Sequence, residues 1–442
     1  ALDRAVNLVE QAKKAGADAA DAVYHCDAST EVQVRLGALE DVVRSEGEEI
    51  GLRVFIGQRS ATISSSTMNP EVLKGLVERA LDMAREAPAD PYAGLAPQEM
   101  LLKGVIPDVD SDDGNDPDPQ SLREAALACE DAARAVKGVT NSEGAGASAG
   151  RSVFALATSH GFAGANHASG YGLSASVLAG DGDAKERDYD WRSARHRIDL
   201  DSAEAIGRRA GERAVRRINP GAVKSGTLPV VFDPRIGSSL VGHLIGAIGG
   251  SMIARKTSFL LDALGESLFD SAISIIDDPL RLRGLGSRAF DGEGLPTART
   301  AIIDKGILTG WMMESAAARQ LGLQPTGHAS RGGSGAPGTS PSNLHLEGGS
   351  VSVEQLISDI DYGVYVHELS GQGVNIVTGD YSRGAAGFLI EKGQITSPVS
   401  EFTIAGNLKD MFRALTPAND LEFIRSTNVP TLRVDGMMVA SA

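Results

Sequence analysis

The stretch from Val139 to Gly180 constrains the fold more than any other part of the chain. Its run SVFALATSHGFAGANHASGYGLSASVLAG (152–180) alternates small and apolar residues with a period of two and carries little bulk. Period two is the repeat of a strand whose successive side chains point to opposite faces. Side chains this small let a covering layer approach closely, so the stretch predicts a sheet packed tightly against something else. The 52 glycines in 442 residues, with aromatics at only 5%, point to many tight turns and β-connections. Within this region GAGASAG (144–150) resembles a dinucleotide loop, and its GASAG part (146–150) matches G-x-S-x-G around Ser148. The dinucleotide loop needs a parallel strand before it and a helix after it, and the nucleophile elbow needs a strand before the serine and a helix after it. Strand-like sequence follows instead, and neither is expected.

Around that stretch lie three amphipathic patterns of helical period, at 3–15, 69–87 (with Pro70 in the first turn) and 120–138. EVQVRL (31–36), GLRVFIG (51–57) and SATISSS (60–66) read as antiparallel strands with one face buried. PDVDSDDGNDPDP interrupts these patterns. An EF-hand loop counted from Asp108 would need glycine where Asp113 stands and glutamate where Pro119 stands, so an acidic surface linker is expected in place of a calcium site. Past the Pro/Gly-punctuated boundary NPGAVKSGTLPVVFDP, RIGSSLVGHLIGAIGGSMIARKTSFLLDALG (235–265) reads as helical. The remainder is strand and turn, with DKG, EKG and VDG each set between alternating apolar runs as hairpins. GHASRGGSGAPGTSPSN (327–343) reads as a mobile or glycine-lined loop. The expected fold is α+β: an amino-terminal α/β domain with helices on an antiparallel sheet over 1–220, then a β-rich carboxy-terminal domain over 225–442. The first has subregions 1–88 and 120–220 joined by the acidic linker 89–119.

Composition excludes several classes. A net charge of −16 repels a phosphate backbone, and the densest basic run, GRRAGERAVRRINP (207–220), has no interleaved aromatics; direct nucleic-acid contact is not expected. Cys26 and Cys129 are the only cysteines, too few for a zinc ribbon, an iron–sulfur cluster or a disulfide scaffold. The opening ALDRAVNLVEQAKKAGAD is amphipathic and not a signal-like apolar run. The longest apolar stretch is short of a membrane span, so a cytoplasmic location away from the membrane is expected.

VYVHELSGQ (364–372) looks like the start of a zinc-peptidase motif. H-E-x-x-H sets two histidines on one helical face, but the required position holds Gly371, and one residue further stands Gln372. Val364, Val366 and Glu368 alternate with Tyr365, His367 and Leu369 before Ser-Gly-Gln-Gly. That reads as a strand entering a turn, with His367 and Glu368 on opposite faces. The eight histidines are scattered, and any one remains open as a general base.

The blocks LVGHLIGAIGGSMIARKTSFLLDALG, FDGEGLPTARTAIIDKGILTGW, ARQLGLQPTGHA and GQGVNIVTGDYSRGAAGFLIEKGQITSPVSEFTIAGNLKDMF together resemble the TldD/PmbA family, more narrowly its PmbA (TldE) branch. The resemblance implies two domains, α/β then β-rich. It also implies a cytosolic heterodimer in which a TldD-type subunit is the zinc metallopeptidase and a PmbA-type subunit its partner, acting in proteolysis and the maturation of peptides. TldD-type chains carry H-E-x-x-x-H shortly before an Arg-Lys-x-Thr-Ser-like segment. Counting back from Arg255–Ser258, the first ligand falls on Gly242, the catalytic glutamate on His243 and the second ligand on Ala247. TldD-type chains also use a cysteine near the carboxy terminus, and this chain has none after Cys129. The resemblance therefore implies no catalytic residue, no metal and no cofactor in this chain, with zinc only in a TldD-type partner. Its ligands would be that partner and a peptide or unfolded polypeptide held in extended form along a sheet, with a homodimer as an option when it is alone. A self-sufficient peptidase stays open as the alternative. His367 with Glu368, and Asp380 with Arg383, are then the candidate peptide-binding or cavity residues.

Overall fold

The computed structural model describes residues 1–182, 185–333 and 335–441. The chain begins with α1 (Leu2–Lys14), β1 (Ala19–Arg35), β2 (Ala38–Ile56), β3 (Arg59–Ser65), α2 (Pro70–Glu86) and α3 (Pro119–Arg134), then β4 (Val139–Thr158), β5 (Ala163–Ala179), β6 (Glu186–Ala194) and α4 (Ala203–Arg216). The helix starts follow local chemistry. Asn69, Asp118 and Ser202 each accept a backbone N–H of the first turn, and Pro70 and Pro119 stand where no N–H is needed.

The six strands form one antiparallel sheet in the order β3-β2-β1-β4-β5-β6. All four helices cover one face. α1 and α2 bury Leu8, Leu76 and Leu81 against Ala22, Leu52 and Ala155. α3 and α4 bury Ala126, Ile206 and Ala210 against Ala147, Leu173 and Val177. Each fully buried leucine or isoleucine contributes about 1.5–3 kcal/mol. The small residues of β4 and β5 are what let α3 and α4 sit this close. The helices also touch each other at Gly207, where any Cβ would run into the carbonyl oxygen of Cys129.

Two readings change here. The strands β1 and β2 are 17 and 19 residues long, far beyond the short strands expected. Residues 38–47 of β2 are exposed on both faces, so no burial periodicity marked them as strand. The segment 89–119 is also more than a surface linker. Ala96 and Leu101 are buried with Val23, Leu156 and Phe162 on the helix-free face of the sheet, against Phe290 and Leu295 from the second half of the chain. Its acids are taken by the fold: Asp110 by Arg283 (2.6 Å), Asp112 by Arg151 (2.6 Å) and Asp113 by the Tyr171 hydroxyl (2.9 Å).

The carboxy-terminal half continues with β7 (Gly226–Phe232), α5 (Pro234–Ala247), α6 (Gly250–Ala254), β8 (Ile275–Asp277), β9 (Thr300–Asp304), β10 (Ile307–Leu308), α7 (Ser315–Leu321), β11 (Ala329–Ser330), β12 (Gly338–Thr339) and β13 (Leu344–Leu346). It ends with α8 (Val353–Ile357), β14 (Tyr362–Ser370), β15 (Asp380–Glu391), β16 (Gln394–Asn407), α9 (Leu408–Arg413), β17 (Leu415–Pro417), β18 (Thr427–Asn428) and β19 (Leu432–Ser441). The main sheet runs β16-β15-β14-β7-β19-β17, and β16 also pairs with β19, so five strands close into a ring. Phe232, Val364, Phe402, Ile404 and Leu432 are among the residues of its core. A smaller sheet, β10-β9-β8-β13-β18, packs beside it.

DKG and EKG are the expected two-residue hairpins: Lys305 and Gly306, and Lys392 and Gly393, all have positive φ. VDG is not a hairpin. It lies inside β19 as a bulge, with the register shifting between Val434 and Met437 and Gly436 at φ 80°.

Candidate functional site

The motif positions lie on α5, which leaves the ring directly after β7. Asp233 caps it by accepting the Arg235 N–H (2.8 Å), and Pro234 opens it. Gly242 is exposed with nothing in front of it, whereas Ala247 is fully buried in the core. His243 is half-buried, its Nε2 has no partner among the described residues, and its ring meets Tyr381 edge-on at 6.0 Å. Burial and then the nearby Arg383 guanidinium hold its pKa below the ordinary value. A zinc site needs three protein donors. Glycine and alanine offer none, the two ligand positions look toward different surroundings, and no group of three His, Cys, Asp or Glu side chains among the described residues is arranged to hold a metal. The residues present do not fit the ion.

Of the other sequence-predicted residues, His367 and Glu368 do not sit on opposite faces. A β-bulge between Val366 and Glu368 breaks the alternation there. Both side chains turn toward the amino-terminal domain. Glu368 binds Arg217 at 2.6 Å, while His367 Nε2 lies 4.0 Å from Asp188 and its ring packs 5.1 Å from Phe388. Asp188 in turn accepts Arg235 at 2.8 Å, so β6, the end of α4, α5 and β14 share one interdomain ion network.

His367 is buried, and neither ring nitrogen is hydrogen-bonded among the described residues. Burial first, and Arg217 second, push its pKa down to about 3. A folded value this far below the ordinary 6.5 means that its contribution to stability is complete above pH 6.5 and is lost as pH falls toward 3. His367→Leu is expected to remove about 2 kcal/mol of the stability that the native chain loses between pH 7 and pH 5. Urea unfolding at the two pH values measures it; an unchanged pH dependence would show that His367 is not held neutral.

Asp380 and Arg383 lie at the far end of β15, away from His367. Asp380 accepts the Thr378 hydroxyl (2.6 Å) and the Asn407 amide (3.2 Å), and Arg383 donates to the Ser370 carbonyl (3.1 Å). Of the two, Arg383 lies close enough to the motif helix to act on His243, whose ring meets Tyr381. Sequence reading missed Tyr381, which is fully buried with its hydroxyl unpartnered among the described residues. A lone tyrosine in a strand pattern carried no signal.

A second buried cluster was also missed. Asp21 of β1 holds Arg53 of β2 on one carboxylate oxygen and Arg331, directly after β11, on the other. Glu293 stands 3.9 Å from Arg53 and accepts the Ser315 hydroxyl at 2.7 Å. The glycine-rich loop 327–343 is thus anchored at its start to the amino-terminal sheet; Ser334 within it lies outside the described residues.

The comparisons with known proteins agree with this architecture. Family models of the PmbA/TldA metallopeptidase match in three consecutive pieces: domain 1 over 20–84, the central domain over 112–218 and the C-terminal domain over 225–441. The chain is 38% identical to Metalloprotease PmbA of Escherichia coli O157:H7, covering 95% of this chain and 92% of that one. It is 36% identical to the Metalloprotease PmbA homolog of Haemophilus influenzae, covering 99% and 96%. A crystal structure from Bacteroides thetaiotaomicron, described as a candidate modulator of DNA gyrase, superposes with TM-score 0.92 at 28% identity over 100% of this chain and 98% of that one. The chain belongs to the PmbA/TldD metallopeptidase family, on its PmbA side.

Proposed function

We propose that this chain is the metal-free subunit of a heterodimeric cytoplasmic metallopeptidase, paired with a zinc-bearing TldD-type subunit in proteolysis and peptide maturation. The observation that carries the reading is on α5, where Gly242 and Ala247 offer no donor at the two ligand positions and His243 replaces the glutamate. His367, with a pKa near 3, is a weak base at neutral pH, and the Glu368 carboxylate is engaged by Arg217. Its contribution is then a binding surface. β2 pairs with β3 only from Ile50 onward, so residues 38–49 leave an outer edge without a strand partner among the described residues. Such an edge takes an extended polypeptide through main-chain hydrogen bonds.

The test combines metal content with reconstitution. The isolated chain is expected to hold zinc far below one per chain and to leave an unstructured peptide intact. Adding a TldD-type subunit is expected to produce a co-eluting complex that cleaves it. Stoichiometric zinc in the isolated chain, or peptide cleavage without the partner, would sink the reading.

A further inference from the structure

Outside the motif helix, a cavity of about 260 Å³ lies where the helix-free face of the amino-terminal sheet meets the second domain. Phe154 of β4, Asn166 of β5, Arg195 after β6, Arg288 and Asp291 between β8 and β9, and Arg331 after β11 line it. Three arginines gathered in one cavity are conspicuous in a chain of net charge −16.

Each guanidinium keeps unused donors. The Arg331 side chain is fully buried, gives Nη1 to Asp21, and has no partner for Nε or Nη2 among the described residues. Arg288 gives Nη1 and Nη2 to Ser340 (3.2 and 2.6 Å), leaving a buried Nε free. Arg195 gives Nη1 to the Ser169 carbonyl (3.1 Å) and Nη2 to that of Leu285, again leaving Nε. Among the described residues, neither Arg195 nor Arg288 has an acidic partner in ion-pair range, whereas Arg331 has Asp21 and Arg53 has Glu293 within reach. Asp291, the one carboxylate in the lining, accepts the backbone N–H groups of Glu293, Leu295 and Ala329. Arg331 is set against Asp21, and Arg288 has both Asp277 and Asp291 nearby, so unused N–H donors, and not a surplus of charge, are what the cavity offers. A buried guanidinium without a counter-ion is costly, and its planar fork matches a carboxylate in shape.

We propose that this cavity binds a carboxylate of a peptide, held by Arg195, Arg288 and Arg331. The choice of a peptide as the source rests on the function proposed above. Binding is measured calorimetrically on the full chain without any partner subunit. The probes are a short alanine peptide with a free carboxy terminus, the same peptide amidated, the amidated peptide carrying one glutamate, and inorganic phosphate. The free acid is expected to bind at least about tenfold more tightly than the amide. Recovery of binding by the glutamate peptide assigns a side chain as an alternative source of the same group. Arg288→Met is expected to weaken the acid on the order of tenfold. Asp291→Asn removes the competing negative charge and is expected to tighten it, a result that stands even if the arginine variant fails to fold. Equal binding of acid and amide, phosphate binding more tightly than the acid, or affinity unmoved by Asp291→Asn overturns the proposal. Since no cleavage or partner enters these measurements, their failure is distinct from failure of partner-dependent proteolysis.

Discussion

Asp21→Ala is expected to lose about 3–5 kcal/mol of folding stability, the cost of breaking a buried ion cluster by removing one partner. Asp21 and the Arg331 side chain are almost wholly buried, and Arg53 nearly so. Without the carboxylate, two guanidinium groups remain in the interior, and among the described residues only Glu293, 3.9 Å from Arg53, is a counter-charge in ion-pair range. The same cluster predicts a pH dependence. Burial raises the Asp21 pKa, but the Arg331 and Arg53 guanidinium groups outweigh it and hold the carboxyl below its ordinary 3.8. The folded value is therefore depressed, so this contribution is present in full above about pH 4 and is lost as pH falls through the folded value. Denaturant unfolding of the native chain and the variant measures both effects. A loss under about 1 kcal/mol would mean that the arginines find water or other acceptors.

Gly51→Ala is expected to cost about 3 kcal/mol, at the upper end for overpacking, from a single added methyl group. Gly51 lies on β2, and a Cβ there would fall inside van der Waals contact of the Gly333 backbone carbonyl. Backbone is the obstacle, so no side-chain rotation relieves it. The glycine-rich loop would have to lift from the sheet, taking with it the segment that carries Arg331. The thermal midpoint measures the loss, and faster proteolysis within 327–343 reports where the strain is released. A neutral substitution would show that this loop does not rest on the sheet.

Much of the architecture was legible in local pattern. The helices at 2–14, 70–86 and 119–134 follow from apolar period, the last two with a side-chain cap and Pro in the first turn, and the DKG and EKG hairpins from residues that tolerate positive φ. Patterns failed where burial came from elsewhere in the chain. The exposed half of β2 has no apolar alternation because neither face is covered, and VDG mimics a turn because a bulge needs the same left-handed glycine. At His367 a one-residue bulge undid the two-face reading, since a period-two argument survives only while the ladder stays in register.

The sequence by itself determined what α5 can hold: ligand chemistry belongs to individual side chains, and Gly242 and Ala247 lack donors in any fold. Only the tertiary structure decided which charges share low-dielectric space. Asp21, Arg53, Glu293 and Arg331 are separated by as many as 310 positions along the chain, and Arg195, Arg288 and Arg331 reach one cavity from three different connections. Such long-range encounters depend on how the two domains pack, and pairwise electrostatics and desolvation act on distance and burial, which no local spacing encodes.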